Sequence, residues 1–260
     1  MLGSVRAKCR SMGVRPNYPG LMDLGLTGRV ALVVGGSGRI GIATARQLLA
    51  EGAVVVLAAR DRGRLDAAAA ELGGDVRVTG VDTLDATSVD AMVRSVVEDL
   101  GRIDVLVNTA APPAGTLDPS LDRDPAAILS AIDGKALGYL RVIEAVLPGM
   151  LDRGWGRIVN VSGQNALLST SLTASARNSV ASIASKVVAD AAAGTGVTVN
   201  VVNPGPVADE PERDRGIGQP GGSTYVEVAA AVVYLCSEQA AGISGETLAL
   251  GHRIRGQMVL

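Results

Sequence analysis

Arg29-Val30-Ala31-Leu32-Val33-Val34 runs directly into Gly35-Gly36-Ser37-Gly38-Arg39-Ile40-Gly41, and then into Ile42-Ala43-Thr44-Ala45. A short Val/Leu run closed by glycine reads as a strand buried on both faces, and the stretch after Gly41 reads as a helix. The glycines between them permit a tight turn, let the backbone approach a bound group and let the helix pack on the strand. The helix N-terminus presents N–H groups without intrahelical partners, together with the positive end of its dipole, which suits a phosphate. A glycine-rich turn alone is a weak signal. Strand before it and helix after it make it a dinucleotide-binding turn.

The same alternation continues outward. Ala53–Ala58, Val76–Val81, Ile103–Val107, Arg157–Val161 and Val197–Val202 are further apolar runs of strand length. Helical periodicity fills the stretches around 39–51, 61–72, 85–100, 124–152 and 172–193. Strand and helix in repeated succession predict an α/β fold, a Rossmann-like doubly wound parallel sheet of about seven strands in three α/β/α layers. Residues 23–260 then form one domain, and residues 1–22, basic until Asp23 and ending in Pro16, Pro19 and Gly20, read as a flexible N-terminal extension. Residues 208–223 are polar and rich in Gly and Pro, and read as a mobile loop.

Composition excludes several function classes. The chain has 260 residues and a formal net charge of −2, so no basic footprint points to nucleic acid. The chain contains no run of 18 or more apolar residues, the length that would suit a membrane span. Cys9 and Cys236 match no zinc or redox spacing and read as reduced thiols of a cytoplasmic protein. The single histidine, His252, argues against a His-based metal or triad site, so no metal is expected. There is one Trp, four Tyr and no Phe, so each tyrosine can be placed and questioned.

The second strand ends Leu57-Ala58-Ala59-Arg60. A carboxylate here would take the ribose 2′-hydroxyl of NAD(H), whereas arginine suits the 2′-phosphate of NADP(H). Ala59 with Arg60 favours NADP(H), with Asp61 as the contrary note.

From about Asp23 to Gly251 the chain resembles the short-chain dehydrogenase/reductase family. The glycine turn is similar to the family's T-G-x-x-x-G-x-G, with Val34 for Thr and Arg39 for the second Gly. Asp82-Thr83 matches the adenine-bracketing pair. Asn108-Thr109-Ala110-Ala111 keeps the first Asn and first Ala of N-N-A-G, and Asn203-Pro204-Gly205-Pro206-Val207 matches the segment passing the nicotinamide. The resemblance implies that the cofactor is held by Gly35, Ser37, Gly38, Arg39, Ile40, Gly41, Arg60, Asp82, Thr83, Asn108, Ala110, Arg177, Pro204, Gly205 and Val207.

The family's catalytic pattern is where the chain departs. The resemblance calls for Ser, Tyr, a Lys four residues after the Tyr, and an Asn on an earlier helix. Val161-Ser162-Gly163 stands where the family has two serines with the second catalytic, so Ser162 lies one position early. No tyrosine occurs between Tyr139 and Tyr225. Aligned, Thr173 takes the Tyr position, Arg177 the Lys position and Lys135 the Asn position, and Asp209 replaces the Thr that grips the carboxamide. An aliphatic hydroxyl is too weak an acid to replace a phenol, and Arg177 can hold ribose hydroxyls but not give up a proton. Lys135 beside Arg177 is the candidate general acid, with a structural ion pair to Asp133 or Asp209 as its alternative. The candidate catalytic set is therefore Lys135, Ser162, Thr173 and Arg177. Gln164 and Asn165 lie on the loop expected to meet substrate, in a pocket drawn from 110–117, 163–172 and 206–223.

These readings lead to an NADP(H)-dependent oxidoreductase with a non-standard site, reducing a carbonyl, enone or imine-type small molecule. A catalytically silent, cofactor-binding or scaffolding subunit is the alternative, as is a redox-neutral enzyme on the same fold. The resemblance also implies a homodimer or homotetramer built through the helices at 124–152 and 172–193, with the small residues Ala181, Ser182, Ala184, Ser185 and Ala189 at the contact.

Overall fold

The computed structural model describes residues 23–110, 117–166, 171–212 and 221–251. Seven strands form one sheet: β1 (Val30–Val34), β2 (Val54–Ala59), β3 (Arg77–Gly80), β4 (Val105–Asn108), β5 (Gly156–Val161), β6 (Val197–Pro204) and β7 (Thr247–Leu250). Their order is β3-β2-β1-β4-β5-β6-β7, and every described pairing is parallel. The order reverses between β1 and β4, which opens a crevice at their C-terminal ends where such sheets bind ligands.

Helices cover both faces: α1 (Arg39–Ala50), α2 (Arg62–Leu72), α3 (Ala86–Leu100), α4 (Pro125–Ile132), α5 (Gly138–Asp152), α6 (Leu172–Ala191) and α7 (Tyr225–Leu235). Because parallel strands alternate sides, two apolar layers result. Ala31, Val33, Val55, Leu57 and Val107 pack toward α1 and α7, while Leu32, Val34, Val56, Leu106 and Ile158 pack toward α3 and α5.

Strand β7 lies beyond the apolar runs read from the sequence, and two helical stretches differ from the expectation. The stretch 124–152 is not one helix: α4 and α5 are joined by a π-helical turn over Asp133–Leu137. A π turn holds an extra residue, so it changes which side chains face inward, and Lys135 and Ala136 become buried there. Helix α7 was absent from the periodic stretches because it is apolar almost all round, with Val228, Ala229, Val232, Val233 and Leu235 buried. Its sequence signal is the capping box at Thr224 and Glu227, which satisfies two N-terminal donors reciprocally.

The ends of the expected loop 208–223 are pinned, since Val207 bridges Ser223 and the Gly222 N–H donates to the Glu212 carbonyl at 3.0 Å. Residues 213–220 of that loop, the extension 1–22 and His252 lie outside the described residues.

Candidate active site

The glycine turn after β1 is built by close approach. Gly35 has φ +86°, and a Cβ there would stand 2.5 Å from Thr109 Oγ1 and 2.6 Å from the Ala110 nitrogen. A Cβ on Gly41 would stand 2.4 Å from the Gly35 carbonyl oxygen, so the first turn of α1 packs directly on the loop. Gly38 is the N-cap of α1 and brings no side chain to cap it, which leaves first-turn N–H groups for a ligand. Ile40 packs into the apolar layer beneath. This turn fits a dinucleotide pyrophosphate on its own geometry.

At the adenosine end, Arg60 is exposed just beyond β2. The Asp61 carboxylate accepts from the Arg64 backbone N–H at 3.0 Å and caps α2. Arg64, which the sequence reading did not single out, donates to the Ser37 carbonyl at 3.4 Å and ties α2 to the glycine turn. Asp82 accepts from the Leu84 N–H at 3.1 Å within its own turn, and the Thr83 carbonyl accepts from Arg141 at 3.2 Å. Asn108 donates to Asn160 Oδ1 at 2.9 Å, and Asn160 passes the chain on to Ser185 Oγ at 2.8 Å. The Asn108 Oδ1 is buried without a partner among the described residues. Gly205, after Pro204, donates to the Leu250 carbonyl at 3.4 Å, and the Val207 carbonyl accepts from the Tyr225 hydroxyl at 3.2 Å.

Arg39 is the first residue of α1. Its guanidinium pairs with Asp209 and lies over the Tyr225 ring, 4.1 Å from the centroid. The bond to Asp209 raises its already high pKa. The pair joins the glycine turn to the segment that follows β6.

Lys135 is the centre of the catalytic end. Its Nζ donates to the Ser162 carbonyl at 3.0 Å and to Asn178 Oδ1 at 2.9 Å. Neither expected ion pair forms, because Asp133 is held by Arg141 at 2.6 Å and Asp209 by Arg39. Burial, reinforced by the nearby Arg177 guanidinium, pushes the Lys135 ammonium down to about 7. Burial also lowers Arg177, with Tyr139 partly offsetting it. Tyr139 is itself buried, donates to the Val161 carbonyl at 2.9 Å and has its pKa driven up by burial, so it is no proton donor near neutrality.

The other candidate hydroxyls point into the protein. Ser162 Oγ donates to the Asn178 carbonyl at 3.2 Å. Thr173 Oγ1 donates to the Asp122 carbonyl at 3.1 Å, while the Asp122 carboxylate takes the Ser171 hydroxyl and the Leu172 and Thr173 N–H groups. Asp122 thus fastens the start of α6, a role the sequence did not announce. Gln164 is buried and donates to the Leu250 carbonyl at 2.6 Å, its Oε1 without a partner among the described residues. Asn203 accepts from the Gly163 N–H at 3.0 Å, and its Nδ2 is likewise unpartnered among them. Among the described residues no three His, Cys, Asp or Glu side chains gather as a metal-holding group. Within the same residues no helix is long and apolar enough to cross a membrane.

The short chain dehydrogenase family model matches residues 29–240. The chain belongs to this family. Among its family relatives, a (2S)-[(R)-hydroxy(phenyl)methyl]succinyl-CoA dehydrogenase subunit, BbsC, of Thauera aromatica is 34% identical, covering 85% of this chain and 92% of that protein. The 3-oxoacyl-[acyl-carrier-protein] reductase FabG of Vibrio harveyi is 32% identical over 86% of this chain and 96% of its own length. The L-sorbose reductase of Gluconobacter frateurii, solved with NADPH and L-sorbose, superposes with a TM-score of 0.79 at 26% identity, covering 90% of this chain and 99% of that one. Membership makes this chain an oxidoreductase-family protein on a fold that binds nicotinamide cofactors. The partner of Lys135 is Asn178, one residue beyond Arg177. Sequence alignment alone did not reach Asn178, since helical phase, which a one-residue offset changes, decides which of the two faces Lys135.

Proposed function

We propose that this chain is an NADP(H)-dependent reductase of a carbonyl, enone or imine-type small molecule, with Lys135 in place of the family's tyrosine as proton donor. The observation that carries the reading is the buried Lys135 ammonium bonded to two neutral oxygens, a setting in which burial, with Arg177 beside it, pushes its pKa down to about 7. A group titrating near the working pH gives the best compromise between being protonated and giving the proton away. Two of the three ammonium protons are held by Ser162 and Asn178, and the third is uncommitted among the described residues. After the third proton leaves, the neutral amine still satisfies both acceptors, so proton transfer breaks no other bond at the site.

The cofactor would be held by the glycine turn and α1 N-terminus at its pyrophosphate, by Arg60 and Arg64 around the adenosine ribose, and by Arg177 at the nicotinamide ribose. A bound reduced nicotinamide supplies the hydride to the substrate carbon, and Lys135 supplies the proton to the substrate oxygen or nitrogen. The preference for the 2′-phosphate is supported by Arg60 at the strand end and by the engagement of Asp61 as a helix cap. The test is NADPH consumption across a panel of ketones, enones and imines. Lys135→Met should lower kcat by about 10²–10⁴-fold, the usual worth of a positioned acid, while the Kd for NADPH changes little.

One observation favours a second reading, a silent subunit: the Thauera relative is named as a dehydrogenase subunit, and the Ser162 and Thr173 hydroxyls of this chain are spent on internal bonds. NADPH binding with no turnover on any panel member would decide for it. Self-association belongs to either reading. Ala181, Ser185 and Ala189 face the chain's own interior, so the contact would use Ile183 and Val187, which are exposed on the outer side of α6. Sedimentation at micromolar concentration should show a dimer or tetramer, and a monomer would refute it.

A further inference from the structure

We infer that Asn178 is the residue that grips the substrate oxygen, through its side-chain N–H, in a space that Gly163 keeps open. The inference rests on the reading of the site as a reductase with Lys135 as proton donor.

Lys135 determines how the amide is turned. The lysine has only protons to offer in its charged form, so the amide must show it the oxygen, and Oδ1 accepts from Nζ at 2.9 Å. The Nδ2 end therefore faces away from Lys135. It faces Gly163: a Cβ on that residue would stand 3.0 Å from Nδ2. Residue 163 lies two positions beyond the end of β5, and its N–H is pinned by Asn203 Oδ1 at 3.0 Å. Its φ is not in the left-handed region, so the backbone itself does not require glycine. What the missing side chain does is leave the amide donor uncovered.

The donor is held firmly and polarised. The Asn178 carbonyl accepts from Ser162 Oγ at 3.2 Å and from Ser182 Oγ at 3.1 Å, which fastens the helix at this residue. A charge-assisted bond to Oδ1 draws electron density from the amide and strengthens its N–H as a donor. A pre-set donor in a buried site favours an oxygen that gains negative charge as hydride arrives. The rival donors, the Ser162 and Thr173 hydroxyls, are engaged elsewhere. The ligand chemistry that fits is a carbonyl oxygen on its way to alkoxide or enolate: the carbon gains the hydride, the C=O π pair moves to oxygen, and the oxygen takes the Lys135 proton while bonded to Asn178.

Two variants test this against a purely structural role. Gly163→Ala places a methyl 3.0 Å from Nδ2, so the amide must yield by a few tenths of an ångström while Oδ1 keeps Lys135 as its donor. It should cut kcat/KM at least tenfold, chiefly through KM, in a protein that still unfolds cooperatively, with unchanged NADPH Kd and an unmoved alkaline limb of the pH profile. Asn178→Asp keeps an acceptor for Lys135 and deletes the donor. It should cut kcat/KM by about 10²–10³-fold, the scale of losing one oxyanion donor, and move the alkaline limb upward, because a carboxylate stabilises the ammonium. Gly163→Ala with wild-type kcat/KM, or Asn178→Asp with wild-type kcat/KM, overturns the inference. If either occurs while Lys135→Met is inactive, the reductase reading stands and only the role of Asn178 falls. A wild type that binds NADPH but turns over no panel substrate removes both.

Discussion

Lys135→Met should change how stability depends on pH, whether or not the protein turns over a substrate. In the unfolded chain the ammonium has its ordinary pKa of 10.5, and in the folded protein burial brings it to about 7. Between those values the unfolded state binds more protons, so wild-type stability rises with pH across that window and the contribution is smallest below about 7. The gap between 10.5 and about 7 corresponds to about 5 kcal/mol in full, and to a slope of about 1.4 kcal/mol per pH unit in mid-window. Methionine removes the titration but strands the Ser162 carbonyl and Asn178 Oδ1, at about 1–3 kcal/mol each. The two effects come close to cancelling below neutrality. At alkaline pH only the stranded acceptors remain, and the variant is the less stable protein. Urea unfolding of both proteins at about pH 7.5 and about pH 9.5 should show their difference growing by about 2.5 kcal/mol. Groups common to both, such as the buried Cys236 thiol, cancel in that difference. An equal difference at the two pH values would mean that Lys135 keeps an ordinary pKa in the folded protein, and the case for a near-neutral acid would go with it.

NADPH should bind at least tenfold more tightly than NADH, and Arg60→Ala should remove most of that preference, since one or two charge-assisted bonds to a 2′-phosphate are worth about 1.5–3 kcal/mol; equal wild-type affinities in fluorescence titrations would contradict it. Asp209→Ala releases Arg39 toward the pyrophosphate and should tighten NADPH about two- to fivefold, the scale of an exposed ion pair. An unchanged or weaker Kd would show that Arg39 and the phosphates do not meet. Asp122 is stabilised as a carboxylate by the Ser171 hydroxyl first and by the Leu172 N–H next. Its lowered pKa means that the hold on α6 is complete above the ordinary carboxylate range and is lost as pH falls through the folded value. Asp122→Ala should therefore speed amide hydrogen exchange at Leu172 to Ala174 at neutral pH, and unchanged exchange would assign the anchoring of α6 to other contacts.

Much of the fold was legible because it is local. The glycine turn, the apolar strands and the amphipathic helices are each written in a dozen residues, through the periods of helix and strand and the sterics of glycine. The absence of a Tyr-x-x-x-Lys pattern was equally plain, and Lys135 stood out as a titratable group on the helix expected to reach the site. Helix α7 escaped because its exposed face is as apolar as its buried one, with Val226 and Tyr234 outward, so no polar stripe marks a period and only its capping box is left as a signal. The π turn escaped because propensity scales do not distinguish an extra residue in a turn from a regular helix, yet it is this turn that buries Lys135.

Partners were the part that only the tertiary structure decided. Lys135 meets Asn178 across 43 positions of sequence, and Arg39 meets Asp209 across 170. The plausible neighbours in sequence, Asp133 for Lys135 and Asp61 for a ribose, were claimed by Arg141 and by a helix cap. Sequence supplies the charges and the periods. Which donor finds which acceptor depends on sheet order and helical phase, and a one-residue change of phase turns a helix by about 100°, enough to exchange Arg177 for Asn178 at the lysine.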